Sequence, residues 1–126
     1  MLSTSELMGF VPITDTARAR SFYVDRLGLE LISEDQFATV VRTGGNDIRL
    51  THMASFTAAP YTICGWKVSD ARAAVAQLGA AGVVFERYPF VEDPSGIWTA
   101  PGGALIAWFK DPDGNVLSIS QHPVEP

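Results

Sequence analysis

The chain has 126 residues, of which 47% are apolar, and this is enough for one domain with a packed core. Its formal net charge is −5 at pH 7 and its nine Lys and Arg residues are scattered, which excludes the basic footprint of a nucleic-acid-binding surface. No apolar run approaches the ~18 residues of a membrane span, and the first residues do not resemble a signal peptide, so we expect a cytoplasmic protein with no membrane partner.

The first half of the chain predicts a β-α-β-β-β module over about residues 5–56. An apolar strand is followed by Asp15 at a helix N-cap, a helix with apolar residues at helical spacing, and a Leu27-Gly28 stop. Strand-like segments then predict three strands, at 29–33, 36–42 and 46–53, with Gly44-Gly45 as the turn between the last two.

The second half repeats this order after a short linker, SFTAAP, at residues 55–60. Asp70 and Gly82 stand where the N-cap and the stop of the first helix stand. Three strands should follow the second helix, at about 83–88, 104–110 and 115–121. This predicts a second β-α-β-β-β module over about residues 60–122, and a single domain over residues 1–126.

The sequence DPDG at residues 111–114 poses a choice between a metal loop and a turn. A calcium loop of the EF-hand type needs glycine at its sixth position and a bidentate glutamate at its twelfth. Those positions hold Val116 and His122 here. Proline fixes φ, aspartate caps its own backbone and glycine accepts a positive φ, so the segment is predicted to be a turn.

With FYVDRLGLEL early and AWFKDPDGNVLSI late, the chain resembles the vicinal oxygen chelate superfamily of glyoxalases, extradiol dioxygenases and fosfomycin- and bleomycin-resistance proteins. The resemblance implies an α+β fold in which two βαβββ modules form a half-barrel around a ligand, and it implies a homodimer. In metal-using members, His, Glu or Gln at four inward strand positions hold the ion. By spacing, these positions fall here on Met8, Arg49, Ile63 and Ser118. None of these is a usual ligand of a divalent ion, so no cofactor is predicted.

Strand alternation predicts which side chains line the cavity that the resemblance implies. Arg49 offers a planar fork for a carboxylate or phosphate, although an ion pair with an acid such as Glu86 is the structural alternative. Trp98 and Trp108 suit a platform for a planar or cationic ligand, with core or interface packing as the alternative. The predicted ligand-binding residues are Met8, Phe10, Arg49, Thr51, Ile63, Trp98, Trp108 and Ser118.

No catalytic residue is predicted. His52 and His122 have no neighbouring group that would orient them as a general base, and Cys64, the only cysteine, is expected to be a buried thiol. The longest irregular stretch, YPFVEDPSGIW, is of the kind that commonly folds over a ligand site.

These observations favour a metal-independent protein that binds a small organic ligand and sequesters an antibiotic or a metabolite, without catalysis. Such a protein needs an apolar cavity and a few polar anchors, but no acid, base or metal. One alternative is a metal-dependent glyoxalase-like lyase or dioxygenase-type enzyme. Another is a non-catalytic regulatory or scaffold domain whose cavity is filled by its own side chains.

Overall fold

The structure is a computed structural model of the chain, and it describes residues 1–124. It divides into two compact units, Met1–Thr57 and a second that begins at Ala58. The division lies inside the predicted linker at 55–60. That the two units act as one domain stays a prediction.

The first unit contains a four-stranded sheet in the order β1-β4-β3-β2, in which β1 is parallel to β4 and the other pairs are antiparallel. Its helix begins where Asp15 accepts a hydrogen bond from the backbone N–H of Arg18, at 2.9 Å. Beyond the helix Gly28 has a φ of 76°, as a helix stop requires. The elements are a 3₁₀ turn (Leu2–Thr4), β1 (Met8–Ile13), α1 (Thr16–Arg20), a π-helical segment (Ser21–Arg26), β2 (Glu30–Glu34), β3 (Ala38–Thr43) and β4 (Asn46–His52).

The second unit repeats this arrangement, with the strand order β5-β8-β7-β6 and β5 parallel to β8. Asp70 caps the helix by accepting from the backbone N–H of Ala73, at 3.0 Å. The side chain of Gln121 ties the start of the helix to the sheet by accepting from the N–H of Ala71, at 2.8 Å. The elements are β5 (Thr62–Lys67), α2 (Ala71–Ala80), β6 (Trp98–Thr99), β7 (Leu105–Lys110) and β8 (Val116–Gln121).

The strand predicted at 83–88 is wrong. This segment pairs with β7 at two points only. Phe85 forms an isolated bridge with Phe109, and the N–H of Glu86 donates to the carbonyl of Trp108 at 2.8 Å. Pro89 has no N–H to donate, so the pairing does not continue past this point. The outer strand of the sheet is instead β6, which pairs with the other end of β7.

The turn predicted at residues 111–114 is confirmed. The N–H of Gly114 donates to the carbonyl of Asp111 at 3.0 Å, and Gly114 has a φ of 85°. The Asp111 carboxylate is buried and turned into its own loop. One of its oxygens accepts the N–H groups of Asp113 and Asn115 at 2.9 Å each, and the other accepts the side-chain amide of Asn115 at 2.8 Å.

Each unit is thus one open, mixed sheet with a single helical region, which confirms the α+β class and the two βαβββ modules. Among the described residues, no helix is both long and apolar enough to cross a membrane.

Candidate functional site

Four aromatic side chains form a cluster in the second unit. Phe90 is at its centre, with its ring centroid 5.6 Å from Tyr88, 5.5 Å from Trp98 and 5.7 Å from Trp108. The ring of Phe90 stacks on Tyr88 but meets both tryptophans nearly edge to face, which is a favoured arrangement for aromatic rings. Phe90 is still 54% exposed, so the cluster presents ring surface to a ligand.

The sheet explains why the two tryptophans meet. Trp98 pairs across the strands with Ile106, and Ile106 and Trp108 are two residues apart on β7, so all three side chains lie on one face. The opposite face carries the buried side chains of Ala107 and Phe109 and contacts α2. We call the face that carries Trp98 and Trp108 the helix-distal face of the second sheet.

A pocket of about 380 Å³ opens beside this cluster, within the range of small-molecule sites. Its apolar lining residues are two aromatic residues and an isoleucine, and its polar lining residues are two acids and a threonine. It is lined by Phe90, Glu92, Asp93, Ile97, Trp98 and Thr99.

The loop that carries these residues is fixed by polar contacts. Asp93 accepts hydrogen bonds from the backbone N–H and the hydroxyl of Ser95, at 2.9 and 2.6 Å, and pairs with the Arg72 guanidinium of α2 at 3.0 Å. These contacts, with those from Ser95 the strongest, lower the pKa of Asp93 to about 2. The guanidinium of Arg87 donates to the carbonyl of Pro94 in the same loop. The carboxylate at the pocket is therefore charged and held in place.

Three predicted ligand-binding residues lie on or beside the helix-distal face of the second sheet with Trp98. Ser118 pairs directly with Trp108 on one side and with Gly65 on the other. Ile63 lies at an irregularity between β5 and β8, where the register shifts by one residue. The structure therefore places Trp98, Trp108 and Ser118 on one surface.

The other four predicted residues lie together on the first sheet, on the face away from α1. Phe10 pairs with Arg49, and Met8 and Thr51 share their face by strand alternation. The opposite face holds buried core residues such as Val11 and Leu50. Phe10 is 66% exposed, so this surface has apolar area accessible to solvent.

Arg49 and Thr51 differ in their surroundings. Within the described residues of the first unit no carboxylate lies within ion-pair distance of Arg49, and Glu86, the structural alternative, is 3.9 Å from Lys110. The hydroxyl oxygen of Thr51 is shielded from solvent and has no hydrogen-bond partner among the described residues. The guanidinium makes no ion pair there, but the pKa of Asp35 is lowered by the backbone N–H groups of Phe37 and Ala38 and, to a smaller degree, by the charge of Arg49. The Thr51 hydroxyl is an unsatisfied polar atom.

The histidines and the cysteine lie apart from this chemistry. His52 is exposed and its Nε2 is 3.1 Å from the carbonyl of Thr14, and the Nε2 of His122 is 2.9 Å from the hydroxyl of Ser120. Cys64 is partly buried, and burial raises the pKa of its thiol. A thiol with a raised pKa is a poor nucleophile at neutral pH.

A family model for the Glyoxalase/Bleomycin resistance protein/Dioxygenase superfamily matches residues 7–119. The chain belongs to this superfamily. A comparison with curated proteins finds no match.

Solved structures from the superfamily share the fold of this chain. A member from Sphaerobacter thermophilus DSM 20745 has a TM-score of 0.76 and 22% identity, covering 97% of this chain and 100% of that chain. A glyoxalase family protein from Bacillus anthracis has a TM-score of 0.76 and 16% identity, covering 95% and 96%. A lactoylglutathione lyase from Agrobacterium tumefaciens has a TM-score of 0.73 and 16% identity, covering 94% and 93%. At these identities the likeness establishes the fold alone.

The residues of this superfamily member do not fit the divalent ion that the resemblance implies for metal-using relatives. The four positions hold a thioether, a guanidinium, an alkyl group and a hydroxyl, at Met8, Arg49, Ile63 and Ser118. Imidazole and carboxylate groups are the usual ligands of such ions. Within residues 1–124, no three His, Cys, Asp or Glu side chains come together in a way that suits a metal.

Five pocket residues are not among the predicted ligand-binding residues, namely Phe90, Glu92, Asp93, Ile97 and Thr99. All lie in or just after the irregular stretch YPFVEDPSGIW, whose length was the one sequence signal that pointed to them. An irregular segment has no periodicity from which the direction of a side chain follows.

Proposed function

We propose that this superfamily member is a metal-independent protein that binds and sequesters a small organic molecule, an antibiotic or a metabolite. The observation that carries the proposal is the pocket of about 380 Å³ against the exposed ring of Phe90 and the ring of Trp98. Binding of this kind needs shape, ring surface and a few polar groups. It does not need the metal ligands that the chain lacks at the four superfamily positions.

The surface of the first sheet belongs to the same proposal. Phe10 and Arg49 are neighbours there and present apolar surface and a cation. We expect Met8 and Thr51 to contribute to ligand binding with them on the first sheet, and Ile63 and Ser118 to contribute on the second sheet. The expected homodimer and the expected cytoplasmic location are part of the proposal, and size-exclusion chromatography with light scattering tests the dimer.

The test is a thermal-shift screen of the full chain, treated with EDTA, against antibiotics, α-keto acids and thiol adducts. A ligand at 100 times its Kd stabilises the folded state by about 2.7 kcal/mol, which is readily detected as a rise in Tm. Trp98→Leu should abolish the rise for a pocket ligand. Tyr61→Leu is the matched control, because Tyr61 is an exposed aromatic residue of the same unit outside the pocket lining.

Elemental analysis of freshly purified protein separates this proposal from an enzyme of the glyoxalase or dioxygenase type. A stoichiometric divalent ion whose removal abolishes ligand binding would overturn metal independence. Binding that survives EDTA but is unaffected by Trp98→Leu would place the ligand outside this pocket.

A further inference from the structure

The pocket has a chemical preference that follows from its walls. The rings of Phe90 and Trp98 stand at 77° to each other with their centroids 5.5 Å apart, so they form a corner of two aromatic surfaces. Aromatic faces attract cations through the ring quadrupole. We propose that the ligand carries an organic cation, of the quaternary ammonium or substituted amine class, which seats in this corner beside Glu92. The inference rests on the proposed function and names the class of ligand for the same pocket.

The charged groups of the pocket have one sign. Its six lining residues include the acids Glu92 and Asp93 and no Lys or Arg. An anion entering the pocket would meet two carboxylates and no cation among the lining side chains. A cation would gain both the ring faces and a carboxylate, and the two contributions act together in a partly desolvated site.

The two carboxylates have different roles. Asp93 already binds Ser95 and the guanidinium of Arg72, so its charge is largely compensated and it holds the loop in shape. Glu92 is exposed, and it makes no hydrogen bond or ion pair with the described part of the chain. Glu92 is therefore the carboxylate available to a ligand cation.

The experiment compares three probes of similar size that share a phenyl ring. Phenyltrimethylammonium is the cation, tert-butylbenzene is its neutral carbon isostere, and benzoate is the anion. Calorimetric titration of the full chain should give an affinity for the cation at least about tenfold above that of the isostere, with benzoate the weakest. Because phenyltrimethylammonium and tert-butylbenzene have nearly the same shape, the ratio of their affinities measures the contribution of the positive charge.

Two variants with the same change in net charge locate the effect. Glu92→Gln should lower the affinity for phenyltrimethylammonium about three- to tenfold, while tert-butylbenzene stays within twofold. Asp25→Asn is the control, because Asp25 is an exposed acid of the first unit that does not line the pocket. It should leave the binding of both probes unchanged.

The outcomes separate the ligand class from the proposed function. Equal affinity for cation and isostere, or a preference for benzoate, overturns the cationic ligand but leaves a small-molecule pocket in place. A second result has the same meaning. If none of the three probes binds, while neutral or anionic hits of the thermal-shift screen bind and depend on Trp98, the cationic ligand is overturned and the proposed function stands. Equal losses in Glu92→Gln and Asp25→Asn would assign the preference to overall charge and overturn the role of Glu92.

Discussion

Replacing Asp111 by alanine should destabilise the chain strongly, because its carboxylate holds the turn together. The Asp111 side chain is only 5% exposed, and its two oxygens accept three hydrogen bonds of 2.8–2.9 Å from its own turn. Two of the three donors belong to Asn115, which is 1% exposed. The variant removes the acceptor for donors that water does not easily reach.

The magnitude follows from these contacts. A hydrogen bond to a charged group is worth about 1.5–3 kcal/mol net, and a buried donor left without its acceptor adds a desolvation cost of about 1–3 kcal/mol. The N–H of Asp113 is less buried and can bind water in the variant, so the two bonds to Asn115 dominate. We expect Asp111→Ala to lower the free energy of unfolding by about 3 kcal/mol. Asp111→Asn retains one acceptor oxygen and should cost about half as much.

Urea unfolding of the full chain, followed by tryptophan fluorescence and far-UV circular dichroism, measures both variants. Asp25→Ala is the surface control and should lie within about 0.5 kcal/mol of the parent. Adding millimolar calcium or EDTA should not change the midpoint of any of the three proteins. A loss below 1 kcal/mol for Asp111→Ala would refute the claim that its carboxylate stabilises the turn. A midpoint that depends on calcium in the parent but not in the variant would show that the carboxylate binds a metal.

Three further predictions concern single groups. Asp93 has its pKa lowered to about 2 from the usual 3.8, so the stability it contributes is present above about pH 4 and is lost as pH falls towards 2; Asp93→Asn should therefore show a smaller fall in Tm than the parent over this interval. Thr51→Val removes a shielded, unsatisfied hydroxyl and keeps the shape of the side chain. Urea unfolding should therefore show a free energy of unfolding that is about 1 kcal/mol higher. A lower free energy of unfolding would mean that the hydroxyl binds water or another group. Because burial raises the pKa of Cys64, its reaction with Ellman's reagent at neutral pH should be slow in the folded chain and accelerate in urea, and equal rates would contradict the buried thiol.

The framework of the fold could be predicted because its signals are local. Asp15 and Asp70 cap their helices through contacts only three residues long. Strand alternation predicted Phe10 and Arg49 on one face of the first sheet, where they pair, because each strand packs its other face on a core. Such features depend on neighbouring residues and on one repeating geometry, and a single sequence contains both.

The candidate site could not be predicted in the same way, because distant contacts determine it. Residues 83–88 are rich in the β-branched and aromatic residues that strands favour, but Pro89 ends their pairing and Trp98–Thr99 takes the remaining edge of β7. The path of the loop between them depends on the ion pair of Arg72 with Asp93, which are far apart in sequence. For this reason the sequence predicted Trp98, but not Glu92 or Asp93, as a residue of the site, and all three line the pocket.

The cross-strand neighbours of Ser118 show how this chain departs from a metal site at the level of packing. A side chain in place of Gly65 would put its Cβ 2.6 Å from the Ser118 hydroxyl, so the serine occupies the space above the glycine. On the other side of Ser118, the neighbouring strand carries Trp108, one of the four clustered rings. A carboxylate at position 118 would enter a surface formed by rings. The cross-strand neighbours of Ser118 are thus a glycine and an aromatic ring, neither of which is a usual ligand of a divalent ion.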